Sequence, residues 1–506
     1  MSIGSDNNNV DLVIVGGGPT GLAIAVLARS LGLTVRIIDA KEGPLDLGRA
    51  DALNARTQQF LEVSKTLGKL LPEGITCNTS STYEAGQFTS RQNHWWTSLK
   101  HTHRPNFLMI GQPRVEAALL EQLDVAVDYG STVVDITELA TGASVTTNKG
   151  ETFVGKYLVA ADGARSFVRS TLNIPFTGTK PEMVWAVLDT FIETDFPVCP
   201  EIITFQVNGQ GRVAWIPRER GMSRFYILLD GEVTQKNAEA SIREHMAPHT
   251  VRFVKTEWFS TFEIKERIAE SFISQSDHGR VILAGDAAHV HAVNGGQGLN
   301  TGIADAFALT WRLAFAVKGL GGEQLLRTYD AERRAVAAGV IGVAATLVRT
   351  TVKPALEYVE AIERNAGYIT GMGVSYPPST VVRASQDGDF VAGYRCPDLK
   401  VIALSANCAC KVGEERRLYT LFGYGKFVVF FLGDKVDAAD FAAMKQYQDV
   451  AEFWRIRSDS EVTEDSIPTY SALWAQSEPG VVVIRPDFYT GCVGKDWQDY
   501  LKNACL

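Results

Sequence analysis

Gly16, Gly18 and Gly21 form a G-x-G-x-x-G pattern whose spacing suits the holding of a pyrophosphate. Gly16 permits a tight turn, Gly18 lets phosphates approach the backbone, and Gly21 allows a helix to pack closely on a sheet. Pro19 and Thr20 complete the loop, and the helix that follows offers unpaired N–H groups and a partial positive charge to an anion. Asp39 closes the next strand-like run, where a carboxylate can accept hydrogen bonds from ribose hydroxyls. These residues point to a dinucleotide but do not separate FAD from NAD.

The elements that must position them are legible nearby. Val10–Val15 is a short apolar run, as expected of a buried parallel strand. Leu22–Leu31 is rich in Ala and Leu and free of breakers, Gly32 can stop that helix, and Thr34–Asp39 reads as the next strand. Together they open a doubly wound α/β sheet. Repeated short strand runs between Val184 and Phe262 predict a mostly antiparallel sheet inserted into that domain. Arg280–Ala284 returns the chain to the first sheet, and Ile303, Phe307, Ala314 and Val317 keep helical spacing after it. The expected division is a discontinuous nucleotide domain (1–75, 106–180 and 278–365) and a substrate sheet domain (76–105 and 181–277). A Gly-, Ser- and Pro-rich linker (366–394) then leads to a C-terminal α/β domain (395–506).

At 506 residues the chain can bury more than one core. Its net charge of −9, with acids and bases interspersed, excludes the basic footprint that nucleic acid requires. No apolar run reaches the roughly 18 residues of a membrane span; Ala335–Val348 reads as a packed core helix. The polar stretch Met1–Asn9 lacks the regions of a secretory signal. Seven cysteines without a Cys-x-x-Cys suggest reduced thiols in a soluble cytoplasmic protein. His289 and His291 have no complementing carboxylate or cysteine in sequence, so no metal site is expected.

Two later motifs are more specific. Asp162-Gly163-Ala164-Arg165-Ser166-Phe167-Val168-Arg169 and Gly285-Asp286, the latter followed by Gly295-Gly296-Gln297-Gly298-Leu299-Asn300, resemble motifs of the group A flavoprotein monooxygenases. The resemblance covers nearly the whole chain and implies FAD as cofactor, with NADPH or NADH as co-substrate. It places Asp162, Gly163, Arg165 and Ser166 at both FAD and NAD(P)H, and Gly285 and Asp286 at the ribityl chain. It adds Arg49, Gln112 and Arg114 to the cofactor contacts. Gly296, Gln297, Gly298, Leu299 and Asn300 precede or open a helix whose N-terminus can favour negative charge on the flavin ring. Val293 stands where that family commonly has proline.

Within the family the chain is similar to the phenol hydroxylase branch, which carries a thioredoxin-like C-terminal domain. The segments Gly48–Thr57, Ile216–Glu219, Arg224–Tyr226 and Gly393–Asp398 carry this likeness. It implies catalytic roles for Asp51, Tyr226 and Arg218 around a small phenolic or polyketide-type substrate. Oxygen would then pass from a flavin C4a-hydroperoxide, formed from O2, to the ring. A carboxylate base and a tyrosine hydroxyl serve that chemistry because a phenolate is richer in electrons than a phenol, and an arginine can hold the developing charge. Baeyer–Villiger or dearomatising oxygenation, and a catalytically silent flavoprotein that binds partners, remain as alternatives. The C-terminal domain, lacking a dithiol, suits packing or homodimer contact.

Overall fold

The computed structural model describes residues 9–180, 184–197, 199–207, 210–229, 231–263, 265–276, 278–292, 296–351, 355–433, 438–475 and 480–505. Residues 1–8 of the polar N-terminal stretch, and Val293 with Asn294 and Gly295, lie outside them. The fold is mixed α/β, built on three seven-stranded sheets.

In the first sheet, Asn9–Val15 runs parallel to Val35–Ile38 on one side and to Thr152–Ala160 on the other. Val281–Leu283 joins parallel to Thr152–Ala160, although more than a hundred residues of chain intervene. The strands Val133–Leu139 and Gly142–Thr147 extend this sheet as an antiparallel meander. Leu12, Val13 and Ile14 are completely buried, as an apolar run between two parallel neighbours must be. The helices Pro19–Ser30 and Gln297–Lys318 pack on each other against the sheet. Ile303 and Phe307 supply that buried face.

The second sheet has the order Val251–Glu263, Val184–Thr194, Ser223–Leu228, Gln210–Pro217, Ile202–Val207, Ser80–Glu84 and Gln87–Gln92. All pairings are antiparallel except that of Ser80–Glu84 with Ile202–Val207. The third sheet lies in the C-terminal part, centred on the fully buried strand Phe427–Leu432.

Buried side chains far apart in sequence join the helices on the first sheet to the third sheet. Arg312 and Glu332, on the helices Gln297–Lys318 and Glu323–Thr351, meet Arg485 and Asp487 in a fully buried charge cluster. Arg485 donates to both oxygens of Glu332 at 2.7 and 2.8 Å and to both oxygens of Asp487 at 3.0 and 2.6 Å. Arg312 donates to Glu332 at 2.7 Å. Arg56, also buried, donates to Tyr419 Oη at 2.7 Å and to the carbonyl of Asp487 at 3.2 Å, and its guanidinium stacks on Phe60.

The stretch 366–394 is packed as well as crossing between sheets. It opens with a short helix, Ala366–Ile369, and buries Met372, Val374, Tyr376, Val381 and Phe390. Its glycines allow this: Gly367 and Gly373 lie backbone to backbone, closer than side chains would permit.

Candidate active site

The loop after the first strand has the geometry its glycines require. Gly16 adopts φ 111°, and a Cβ there would overlap the carbonyl of Ala161. A Cβ on Gly21 would overlap the carbonyl of Gly16, whereas one on Gly18 would meet nothing. The tight side of the loop therefore faces protein, and the open side leaves room for a ligand to approach the backbone. Gly18 caps the helix Pro19–Ser30 with no side-chain hydrogen bond, leaving its first amides available. Asp39 Oδ2 accepts from the Gly17 amide at 2.6 Å and Oδ1 from the Lys41 amide at 2.7 Å, so this carboxylate also fixes the loop it serves. Gly21→Ala should reduce FAD retention about tenfold, since relieving such an overlap costs about 1–3 kcal/mol. The flavin absorbance remaining after gel filtration measures it, and full occupancy would remove the close packing from the argument.

The second and third motifs are joined by side chains. Ser166 caps the helix Phe167–Thr171, and Gly163 takes the left-handed conformation at φ 81°. Arg169 donates to the carbonyl of Ala287 at 2.7 Å and of Ala164 at 3.1 Å, tying the turn Gly285–Ala287 to the Asp162 loop. Asp162 Oδ2 accepts from Val168, and its buried Oδ1 has no partner among the described residues; burial raises this carboxyl above its ordinary range. Asp286 is exposed between buried neighbours, and Arg165 is exposed too.

Asp305 anchors the third motif from below. Completely buried, it accepts from the Gly285 amide at 2.9 Å and from Arg333 Nε at 2.7 Å, and His289 Nε2 lies 2.8 Å away. Burial would raise Asp305, but Arg333 and His289 outweigh it and hold it below the usual range. Burial lowers His291 to about 4, so it is neutral at ordinary pH. Sequence reading missed Asp305 and Arg333 because each acts through chain distant in sequence.

Asn300 fixes the junction with the substrate side. Its Oδ1 accepts from the Asn54 amide at 2.9 Å, and its Nδ2 donates to the carbonyls of Ala52 at 2.9 Å and Gly296 at 2.6 Å. The segment bearing Asp51 is thereby clamped to the start of the helix Gln297–Lys318. Gln297 donates to the Ile369 carbonyl at 3.0 Å, Leu299 is buried, and a Cβ on Gly298 would meet open space. Gly296 lines the cleft described next.

That cleft, about 1280 Å³ with its open mouth included, lies between the second sheet and the helices of residues 323–369. Tyr226, Ala214, Thr204 and Thr82 stand side by side across four strands and form a floor of small side chains beyond the tyrosine. At ordinary strand spacing that row is about 14 Å wide. Met109, Leu347, Tyr358, Ile362 and Ile369 supply apolar walls. Tyr358, which sequence reading did not single out, is pushed up to about 12 by burial and presents a neutral hydroxyl.

At one end of the floor Tyr226 Oη lies 3.3 Å from Asp51 Oδ2, and Asp51 is buried. Burial, then the charge of Asp51, pushes the Tyr226 hydroxyl well above its ordinary value, so it keeps its proton. The arginine beside this pair is Arg224, with Nη1 3.6 Å from Asp51 Oδ2 and 3.4 Å from Tyr226 Oη. Nη1 also donates to the carbonyl of Arg49, a residue in the left-handed conformation at φ 67°. Arg218 is placed differently from the sequence expectation: Glu219 takes its guanidinium at 2.9 and 2.8 Å, and Glu219 also accepts from the Gly111 amide. The i, i+2 spacing of Arg224 and Tyr226 on one strand was the available signal, because it puts both on one face. Of the remaining expected contacts, Gln112 accepts from the Ala50 amide at 3.3 Å, while Arg114 pairs with Glu73 on the surface.

These cradles fit FAD: an open glycine loop at a helix start, a second open helix start, and an orphaned buried carboxylate oxygen between them. The sequence model of the family described as "FAD binding domain" matches residues 9–344. The chain belongs to this family. It is an FAD-dependent monooxygenase of the group A aromatic type. The 12-dehydrotetracycline 5-monooxygenase/anhydrotetracycline 6-monooxygenase of Streptomyces rimosus is 30% identical, over 95% of this chain and 94% of its own. A phenol 2-monooxygenase of Aspergillus fumigatus is 29% identical, over 79% and 72%. The solved anhydrotetracycline hydroxylase of Streptomyces rimosus superimposes with a TM-score of 0.75 at 27% identity, covering 98% of this chain and 99% of that one. No helix among the described residues of the enzyme is long and apolar enough to cross a membrane.

Proposed function

We propose that the enzyme hydroxylates an aromatic ring bearing a phenolic hydroxyl, using NAD(P)H and O2. The observation that carries this reading is the buried Asp51–Tyr226–Arg224 group at the end of an apolar cleft lined also by Gly296. FAD, when bound, supplies the electron transfer and oxygen activation that no side chain can. The chain's own residues prepare the ring. Asp51 takes the phenolic proton, Tyr226 holds the phenolate oxygen through its O–H, and Arg224 balances the charge. The apolar walls keep water away from the reacting carbon. The wide floor of small side chains favours a fused-ring substrate of polyketide type over a single ring, which fits the tetracycline oxygenase named above.

The division expected from sequence belongs to the same proposal: 1–75, 106–180 and 278–365 would hold FAD, 76–105 and 181–277 the substrate, with 366–394 as connection. For 395–506 a thioredoxin-like fold is supported by a parallel β–α–β unit (Phe427–Leu432, Ala438–Tyr447, Ala451–Arg457). An antiparallel β–β–α unit (Gly480–Ile484, Thr490–Val493, Trp497–Cys505) follows it.

A screen of phenols and aromatic polyketides for stimulated NADPH oxidation tests the function, with a product gaining one oxygen as the expected result. Protein that oxidises no NAD(P)H with any of them would overturn it. Tyr226→Phe should raise the hydrogen peroxide released per NADPH several-fold while substrate still binds. Full coupling in that variant would remove the tyrosine hydroxyl from the chemistry.

A further inference from the structure

Arg224 has one guanidinium and two carboxylates within reach. Its Nε and Nη2 both donate to Asp189, at 2.6 and 2.6 Å, and only Nη1 faces Asp51. Asp189 lies directly across the strand pair from Arg224, is 2% exposed, and touches Arg218 Nη1 at 3.7 Å. We propose that Asp189 is a positioning residue that occupies the Arg224 fork and so keeps the Asp51 carboxylate free to take the substrate's proton. This rests on the phenol hydroxylase reading above.

Geometry and charge lead to the same result. A guanidinium binds carboxylates best through two parallel N–H···O bonds, and a fork already closed on Asp189 cannot close on Asp51. The remaining contact, at 3.6 Å, is longer than a hydrogen bond. The groups in contact with the pair come from neighbouring elements, with Arg49 beside Arg224 and Arg212 lining the same cleft. Arg224 and Tyr226 come from one strand, Asp189 from its neighbour, and Arg218 and Glu219 from the turn that follows Gln210–Pro217. The Trp258 ring, from the strand Val251–Glu263, lies 5.3 Å from the Arg224 guanidinium. Arg218 is paired with Glu219 and the Arg224 fork with Asp189, so Arg224 meets Asp51 only through Nη1 at 3.6 Å. In the proton step the phenol O–H bond breaks, its electron pair stays on the phenolate oxygen, and the proton forms an O–H bond to Asp51. The total charge of the group is unchanged, so nothing further has to enter a buried site. Without Asp189, Arg224 and Asp51 would close into a neutral ion pair, and Asp51 would be a weaker base.

The test is an infrared pH titration of the FAD-loaded enzyme, following the protonated-carboxyl band that Asp51→Asn abolishes. In Asp189→Asn its midpoint should fall by about one pH unit or more, the effect of an opposite charge brought into contact, and Asp189→Glu should bring it back. A midpoint unmoved in folded, FAD-retaining Asp189→Asn overturns the proposal. So does a shift that Asp189→Glu fails to reverse. If Asp189→Asn does not fold, Asp189→Glu alone decides, since its midpoint must stay with the wild type. The readout needs no substrate, so absence of phenol-stimulated NADPH oxidation in the wild type would count against the function and leave this result to be read separately.

Discussion

Asp51→Asn should slow oxygen transfer by about 10²–10⁴-fold, the range lost with a positioned general base, while FAD remains bound. Asparagine keeps the size of the side chain and can still accept from Tyr226, but its amide oxygen does not take up a proton at neutral pH. The segment stays in place because Asn300 holds the neighbouring backbone at Ala52 and Asn54 and never touches the Asp51 carboxylate. The loss should therefore appear in product formed per flavin, measured by rapid quench, with flavin absorbance unchanged. A normal yield from Asp51→Asn would take Asp51 out of the mechanism.

The second large effect is on stability. Glu332→Ala should cost about 3–5 kcal/mol, because it leaves Arg312 and Arg485 sharing one carboxylate in a buried site. Against a total stability of about 5–15 kcal/mol this is severe, and urea unfolding monitored by tryptophan fluorescence would measure it. Adding Arg485→Met should recover part of the loss by removing the orphaned charge. The same cluster sets an acid limit for the wild type. Burial raises the Asp487 carboxyl, but Arg485 and Arg312 outweigh it and hold it below its ordinary value. A carboxylate depressed in the folded state contributes its full stabilisation above the unfolded value, about 3.9, and loses it as pH falls through the folded one. Thermal midpoints should thus be little affected by this group near neutrality and fall with it below about pH 4.

The local elements were legible in the sequence because their signals are local. The first strand, its glycine loop and the helix behind it follow from a continuous apolar run, three glycines and a breaker-free stretch. The pairing of Asp51 with Tyr226 was legible only through family likeness, since a contact spanning 175 residues leaves no periodic trace. The arginine shows where that likeness stops helping. Arg218 and Arg224 both lie in the likeness-bearing segments, and only the register of Ser223–Leu228 against Val184–Thr194 puts Arg224 between Asp189 and Asp51. Arg218 turns instead to its own neighbour Glu219, in a turn that bends back toward Gly111. Asp305 under Gly285, and Arg169 under Ala287, were hidden for the same reason: each side chain serves a backbone brought to it from elsewhere.

The buried Arg56 has a bearing on how the chain is made. It leaves the ribosome 363 residues before its partner Tyr419, and 431 and 432 residues before Asp487 and Phe488. Until those residues emerge its guanidinium must stay hydrated at what will become an internal seam, and the helix Ala55–Val63 cannot settle against it. Vectorial synthesis thus delivers the cofactor loops long before the piece that seals them, and closure waits on contacts between segments far apart in the polypeptide.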